Sequence, residues 1–161
     1  MVQLRPIAEY DFQKIVNWNT EKGEHFLYQW AGQKTFQYPL SVDQIKHICI
    51  QAHSQTYIIC SNGDAVGTIA LDQIDKKSRC AHLCRFLLSD QARGHGLSRL
   101  VLQELVRLAF CELGIERLTL RVFCFNVAAI RCYERCGFVV KEYHTAADPK
   151  WNAYTMELQK R

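Results

Sequence analysis

The stretch QARGHGL, residues 91–97, sets two glycines one residue apart where an apolar helical run is about to begin. Glycine inside a helix costs about 1 kcal/mol against alanine. Gly94 and Gly96 at that threshold therefore imply a sharp turn, or a close approach of the backbone to a ligand. The first N–H groups of a helix lack partners within it and carry the positive end of its dipole. A glycine turn opening a helix thus suits an anion, above all a phosphate. Arg93 and Arg99 would add charge. Three phosphate-binding patterns compete for the stretch. A P-loop needs a lysine after its second glycine, and none follows; the dinucleotide fingerprint needs a third glycine where Arg99 stands. The third pattern, Gln/Arg-x-x-Gly-x-Gly/Ala, is met by Gln91, Gly94 and Gly96.

Eight cysteines fall mostly inside apolar segments. The N-terminus, MVQLRPIAEYDF, has no apolar leader segment, so a reducing, cytoplasmic setting with free thiols is expected. Cys80 and Cys84 would share one face of a strand, and Cys132 and Cys136 one face of a helix. Neither spacing is a usual zinc pattern, so no metal is expected.

The elements that must position the glycine turn follow from periodicity. Residues 2–7 read as a first strand, AEYDFQKIVNW as a helix, and 19–40 as an irregular, aromatic-rich segment. Ser41 with Gln44 suggests a capping box opening SVDQIKHICIQAH. TYIIC and AVGTIAL flank Asn62-Gly63, a type I′ hairpin signal, and CAHLCRFLL (80–88) is a further strand. A long helix runs from Leu97 towards Gly114 with a wide apolar face. RLTLRVFCF (117–125) is a strand, NVAAIRCYERC a short helix, and FVVKEYHT with WNAYTMEL a closing antiparallel pair. Such an order gives a mixed α/β sheet with helices on both faces.

A second stretch, NVAAIRCYERCGF, begins thirty residues after Gly96 and carries Asn126, Ala128-Ala129-Ile130, Tyr133, Gly137 and Phe138. With both motifs in this order, the chain resembles the GNAT superfamily of acyl-CoA-dependent N-acetyltransferases over nearly its whole length. FLYQWAGQKTFQYPL and WNAYTMEL look most like the branch that holds ribosomal-protein N-terminal acetyltransferases. The resemblance implies a mainly antiparallel sheet, splayed between its fourth and fifth strands, 80–88 and 117–125. It implies acetyl-CoA as donor, with the pantetheine arm against the backbone of Phe86, Leu87 and Leu88. The diphosphate would be held by N–H groups of Gln91, Ala92, Arg93, Gly94, His95, Gly96 and Leu97. Asn126, with Ala129 beside it, would meet the pantetheine or adenylate side; Asn126 also suits a helix N-cap.

The family places a hydroxyl such as that of Tyr133 near the cofactor sulfur. A thiol leaving group has a pKa of about 8.5, and a positioned phenol can protonate it. Many relatives carry a glutamate on the strand before the glycine turn, and CAHLCRFLL has no acid. His82 is the first candidate for the base; Glu24, His25 or a water chain are the alternatives. A backbone N–H near Leu87 would hold the developing oxyanion. Direct attack by the amine in a ternary complex is simpler than acyl transfer through Cys84. By the same resemblance, segment 19–40 and the final hairpin would line the acceptor side, with Glu24, His25 and Trp30 as contacts. A homodimer fits the resemblance, as does a catalytically silent acyl-CoA-binding domain.

A length of 161 residues fits one domain spanning 1–161. A net charge of +4 on scattered basic residues does not argue for nucleic acid. No apolar run approaches the roughly 18 residues of a membrane span. The acceptor amine is not specified by anything in the sequence.

Overall fold

Seven alternating or apolar segments pair into one sheet of order β1-β2-β3-β4-β5-β7-β6 in the computed structural model, which describes all 161 residues. The strands are β1 (Val2–Pro6), β2 (Gln55–Ser61), β3 (Asp64–Asp75), β4 (Cys80–Leu88), β5 (Arg117–Phe123), β6 (Val139–His144) and β7 (Ala153–Gln159). The helices are α1 (Phe12–Asn19), α2 (Gly23–Ala31), α3 (Val42–Cys49), α4 (Leu97–Arg107) and α5 (Val127–Arg135). All strand pairs are antiparallel except β4 with β5. That parallel pair is joined only from Cys80↔Arg117 to Leu83↔Leu120; beyond it the strands part, as expected.

The parting has a local cause in β4. Thr68 faces Leu87 and Ala70 faces Cys84, so Ile69 alone stands against Arg85 and Phe86. This is a β-bulge, which adds a residue, bends its strand and increases twist. Arg85 takes a left-handed φ of 49° to make it. Simple alternation from His82 would put Phe86 and Leu88 on the His82 face. The extra residue instead turns both into the core beneath α4 and α5. Gly67 on β3 allows the close crossing, because a Cβ there would run into the Leu87 carbonyl oxygen.

The α4/α5 face covers a core of 19 buried residues, whereas α1–α3 cover a cluster of only six, so the α1–α3 side is the thinner layer. Asn62 and Gly63 both have positive φ, as a type I′ hairpin requires. Ser41 Oγ accepts from Gln44 N at 3.4 Å, but the Gln44 side chain turns to the Gln37 and Pro39 carbonyls, so only half of the expected capping box forms.

One expectation fails in segment 19–40, where Gly23–Ala31 is helical. No side chain caps its N-terminus. Its stability comes from tertiary packing instead: Leu27 is buried in the smaller cluster and Trp30 stacks on Phe36 at 5.7 Å.

Candidate active site

Where β4 and β5 part, a cleft of 540 Å³ opens. One wall comes from α4 and α5, through Ser98, Leu102, Asn126, Ala129, Cys132 and Tyr133. The opposite wall comes from α2 and β5, through Phe26, Gln29, Trp30, Arg121 and Phe123. Leu83 to Leu88 form its β4 side, and Arg93 stands at its mouth. No carboxylate lines it.

The glycine turn lies at the α4 end. Gly94 and Gly96 have φ of 77° and 74°, and a Cβ at either would meet nothing within 4 Å. Glycine is needed here for the left-handed backbone, and open space lies in front of it. The N–H groups of Gln91, Gly94, His95, Gly96, Leu97 and Ser98 have no acceptor in the protein. Those of Ala92 and Arg93 do, since both donate to the Ser89 carbonyl, at 3.0 and 3.2 Å. The expectation that every N–H from Gln91 to Leu97 is available is therefore corrected at these two residues. Ala92 is buried and fastens the turn to the core. Arg93 Nε donates to the Leu88 carbonyl at 3.2 Å and its guanidinium lies 5.8 Å from the Phe26 ring, linking the turn to α2. An unsatisfied row of N–H donors beside two left-handed glycines suits a diphosphate, and the apolar cleft beyond suits a slender amide chain.

Asn126 is the N-cap of α5, its Oδ1 accepting from Ala129 N at 3.4 Å. Tyr133, two turns further on, packs edge-on to Phe138 at 5.9 Å. Burial pushes the Tyr133 phenol above its ordinary pKa, so it is held as the proton-bearing form. Cys84 is pushed up to about 12, chiefly by burial, with Arg85 pulling the other way. A thiol so placed is a poor nucleophile at neutral pH.

Arg85 is buried and forms a bidentate pair with Asp72, both contacts at 2.7 Å, while Ser54 Oγ donates to Asp72 at 2.6 Å. Burial alone would raise the Asp72 pKa, but the Arg85 and Ser54 hydrogen bonds outweigh it and hold the carboxyl below its usual value. Arg121 has no such partner: it enters no ion pair and no side-chain hydrogen bond. Beside it, Phe123 stacks with Tyr28 and Phe125, each at 5.7 Å, and meets the Trp151 ring edge-on at 4.9 Å.

The remaining expected residues divide. Phe86, Leu87, Leu88, Arg93, Asn126, Ala129, Tyr133 and Trp30 line the cleft. Gln91, Ala92, His95 and Leu97 border a second groove on the other side of the turn. His82 is not in the cleft lining; it lies in the paired part of β4, with Nδ1 2.9 Å from Thr119 Oγ1. Burial, the largest influence, lowers its pKa, so it is neutral at pH 7. His25 packs on Trp151 at 4.8 Å, at the edge of the aromatic group. Glu24 is exposed on the first turn of α2 and does not reach the cleft. Sequence reasoning missed Arg85, Arg121 and the Phe123–Trp151 contact. A charged residue inside an apolar strand, as in CAHLCRFLL and RLTLRVFCF, was the available signal.

Residues 12–138 match the acetyltransferase (GNAT) family. The chain belongs to that family. It is 27% identical over 86 residues to the L-amino acid N-acetyltransferase AaaT of Escherichia coli (strain K12), a match spanning 52% of each chain. It is 25% identical to the spermidine N(1)-acetyltransferase of Vibrio cholerae serotype O1 over 142 residues, 84% of this chain and 78% of that one. The crystal structure of spermidine N-acetyltransferase from Vibrio cholerae in complex with CoA and spermine superposes with a TM-score of 0.83. It covers 98% of this chain and 95% of that one, at 17% identity, a likeness of fold. These relatives act in their names on amino acids and spermidine, and they do not support the finer placement in the ribosomal-protein branch.

Proposed function

We propose that the chain is an N-acetyltransferase that takes acetyl-CoA as donor and a primary amine as acceptor. The observation that carries this reading is the row of free N–H groups at residues 94–98 at the start of α4, whose last member, Ser98, lines the cleft between β4 and β5. The turn grips the diphosphate, and the β4 backbone at Phe86 to Leu88 runs beside the pantetheine amides as an added strand edge would. The amine nitrogen attacks the acetyl carbonyl carbon. A C–N bond forms, the C–S bond breaks, and Tyr133 gives the leaving sulfur its proton. A β4 backbone N–H near Leu87 steadies the developing oxyanion. The ammonium proton leaves through water to His82, which is neutral and whose Nε2 makes no hydrogen bond in the protein. Direct transfer is favoured over an acyl-cysteine because the Cys84 thiol is held protonated.

The eight free cysteines fit a reducing, cytoplasmic setting, and no helix is long and apolar enough to cross a membrane. A homodimer would use the β6 edge, where Val139, Val140 and Tyr143 are exposed. Amine-dependent release of free thiol from acetyl-CoA tests the function. Small amines, amino acids and a peptide N-terminus form the panel, the last keeping the ribosomal-protein-like acceptor in view. Absence of acetyl-CoA binding would defeat the proposal. Binding without turnover by any amine would favour the silent acyl-CoA-binding domain.

A further inference from the structure

Resting on the acetyltransferase reading, we infer that the acceptor is a small amino carboxylate, its amine directed at the acetyl carbon and its carboxylate held by Arg121. Two arginines reach the sheet face beneath α2, and they are in opposite states. Arg85 is neutralised by Asp72. Arg121, exposed on β5 in the cleft wall, is left without an anion. The acids that could have served it are engaged elsewhere. Asp72 accepts from Arg85 and Ser54. Glu157, on the neighbouring strand, takes Arg117 at 3.4 Å. Opposite Arg121 in the β5–β7 register stands uncharged Thr155.

Such a wall selects by charge. A polyamine needs carboxylates along its path, and the cleft has none while presenting the unpaired Arg121. Repulsion between like charges in a partly desolvated cleft works against a polycation. A carboxylate, in contrast, matches the planar donor fork of a guanidinium. Phe123 lies two residues beyond Arg121 on the same strand face, with Tyr28 and Trp151 packed against it. That aromatic surface adjoins Arg121 and would cover the apolar body of an amino acid. The acceptor of this chain thus differs in charge from the polyamine named for one of its relatives.

Steady-state thiol release with acetyl-CoA, comparing leucine, methionine and phenylalanine with their carboxamides and with spermidine, tests this directly. The acids should exceed their amides in kcat/KM by roughly 10- to 100-fold, the range of a hydrogen bond to a charged group, with spermidine the poorest. Arg121→Gln, an exposed and unpaired site, should raise KM for the acids by a similar factor. It should leave the KM for the amides and the Kd of acetyl-CoA unchanged. Equal use of acids and amides, or preference for spermidine, overturns the inference while the acetyltransferase reading stands. A weakened Kd for acetyl-CoA in Arg121→Gln also overturns it, because the guanidinium would then serve the donor. Failure of the unaltered protein to bind acetyl-CoA defeats both readings.

Discussion

At its α4 end the site is framed by backbone: left-handed Gly94 and Gly96, their free N–H groups, and the capped start of α5 at Asn126. On the α2 side it is closed by side chains drawn from three distant places, Trp30 on α2, Arg121 and Phe123 on β5, and Trp151 before β7. On the proposed reading, the wall of backbone meets a feature common to every CoA thioester and tolerates sequence change at the side chains. A wall of side chains can be refitted to a new acceptor without disturbing the donor. The division explains how one fold serves acceptors of different charge.

The sharpest way to break this division is at the shared element, the β4 bulge. Asp72→Asn leaves Arg85 buried without its counter-charge and should cost about 3–5 kcal/mol in stability, read by thermal or urea unfolding. Both donor binding and turnover should fall with it. The unchanged protein should show the same dependence on pH. Because the folded Asp72 pKa lies below its ordinary 3.8, its stabilisation is present above that value and is lost as pH falls through the folded pKa.

Next in size, Tyr133→Phe removes the proton donor to sulfur and should lower kcat about a hundredfold. Acetyl-CoA affinity should hold, since the diphosphate and pantetheine contacts are untouched. On the donor wall alone, Gly96→Ala places a side chain at φ 74° and should weaken acetyl-CoA binding by about tenfold, from roughly 1–2 kcal/mol of left-handed strain. The KM for the amine should hardly move, and a parallel rise would show the walls to be coupled. The smallest effect is expected at His82. With its pKa below the ordinary 6.5, kcat should stay level down to that pH and decline below it. His82→Gln should lower and flatten that acid limb; an unchanged limb would assign proton removal to water alone.

The same contrast governs what could be read from the residues. The glycine turn and the Asn126 cap are local backbone devices, each signalled within a few residues. The hairpin at Asn62-Gly63 and the parting of β4 from β5 were equally legible through turn chemistry and family resemblance. The acceptor wall was not, because its parts meet only by tertiary packing. α2 lacks a capping side chain, so nothing local announces it. The bulge at Arg85 breaks alternation inside a strand whose pattern looks regular, and Gly67, which permits the crossing, sits on the neighbouring strand. Candidate bases were drawn from residue type and alternation, and the fold leaves Glu24 at the surface and His82 in the paired part of β4, outside the cleft lining.

The central claim, that the turn at residues 94–98 grips the diphosphate of the donor, is tested most directly by calorimetric titration with acetyl-CoA and with S-acetylpantetheine, which lacks the diphosphate. Saturable binding of acetyl-CoA, about tenfold or more tighter than S-acetylpantetheine, is the predicted result. Equal affinity for the two, or no binding of acetyl-CoA, would contradict it.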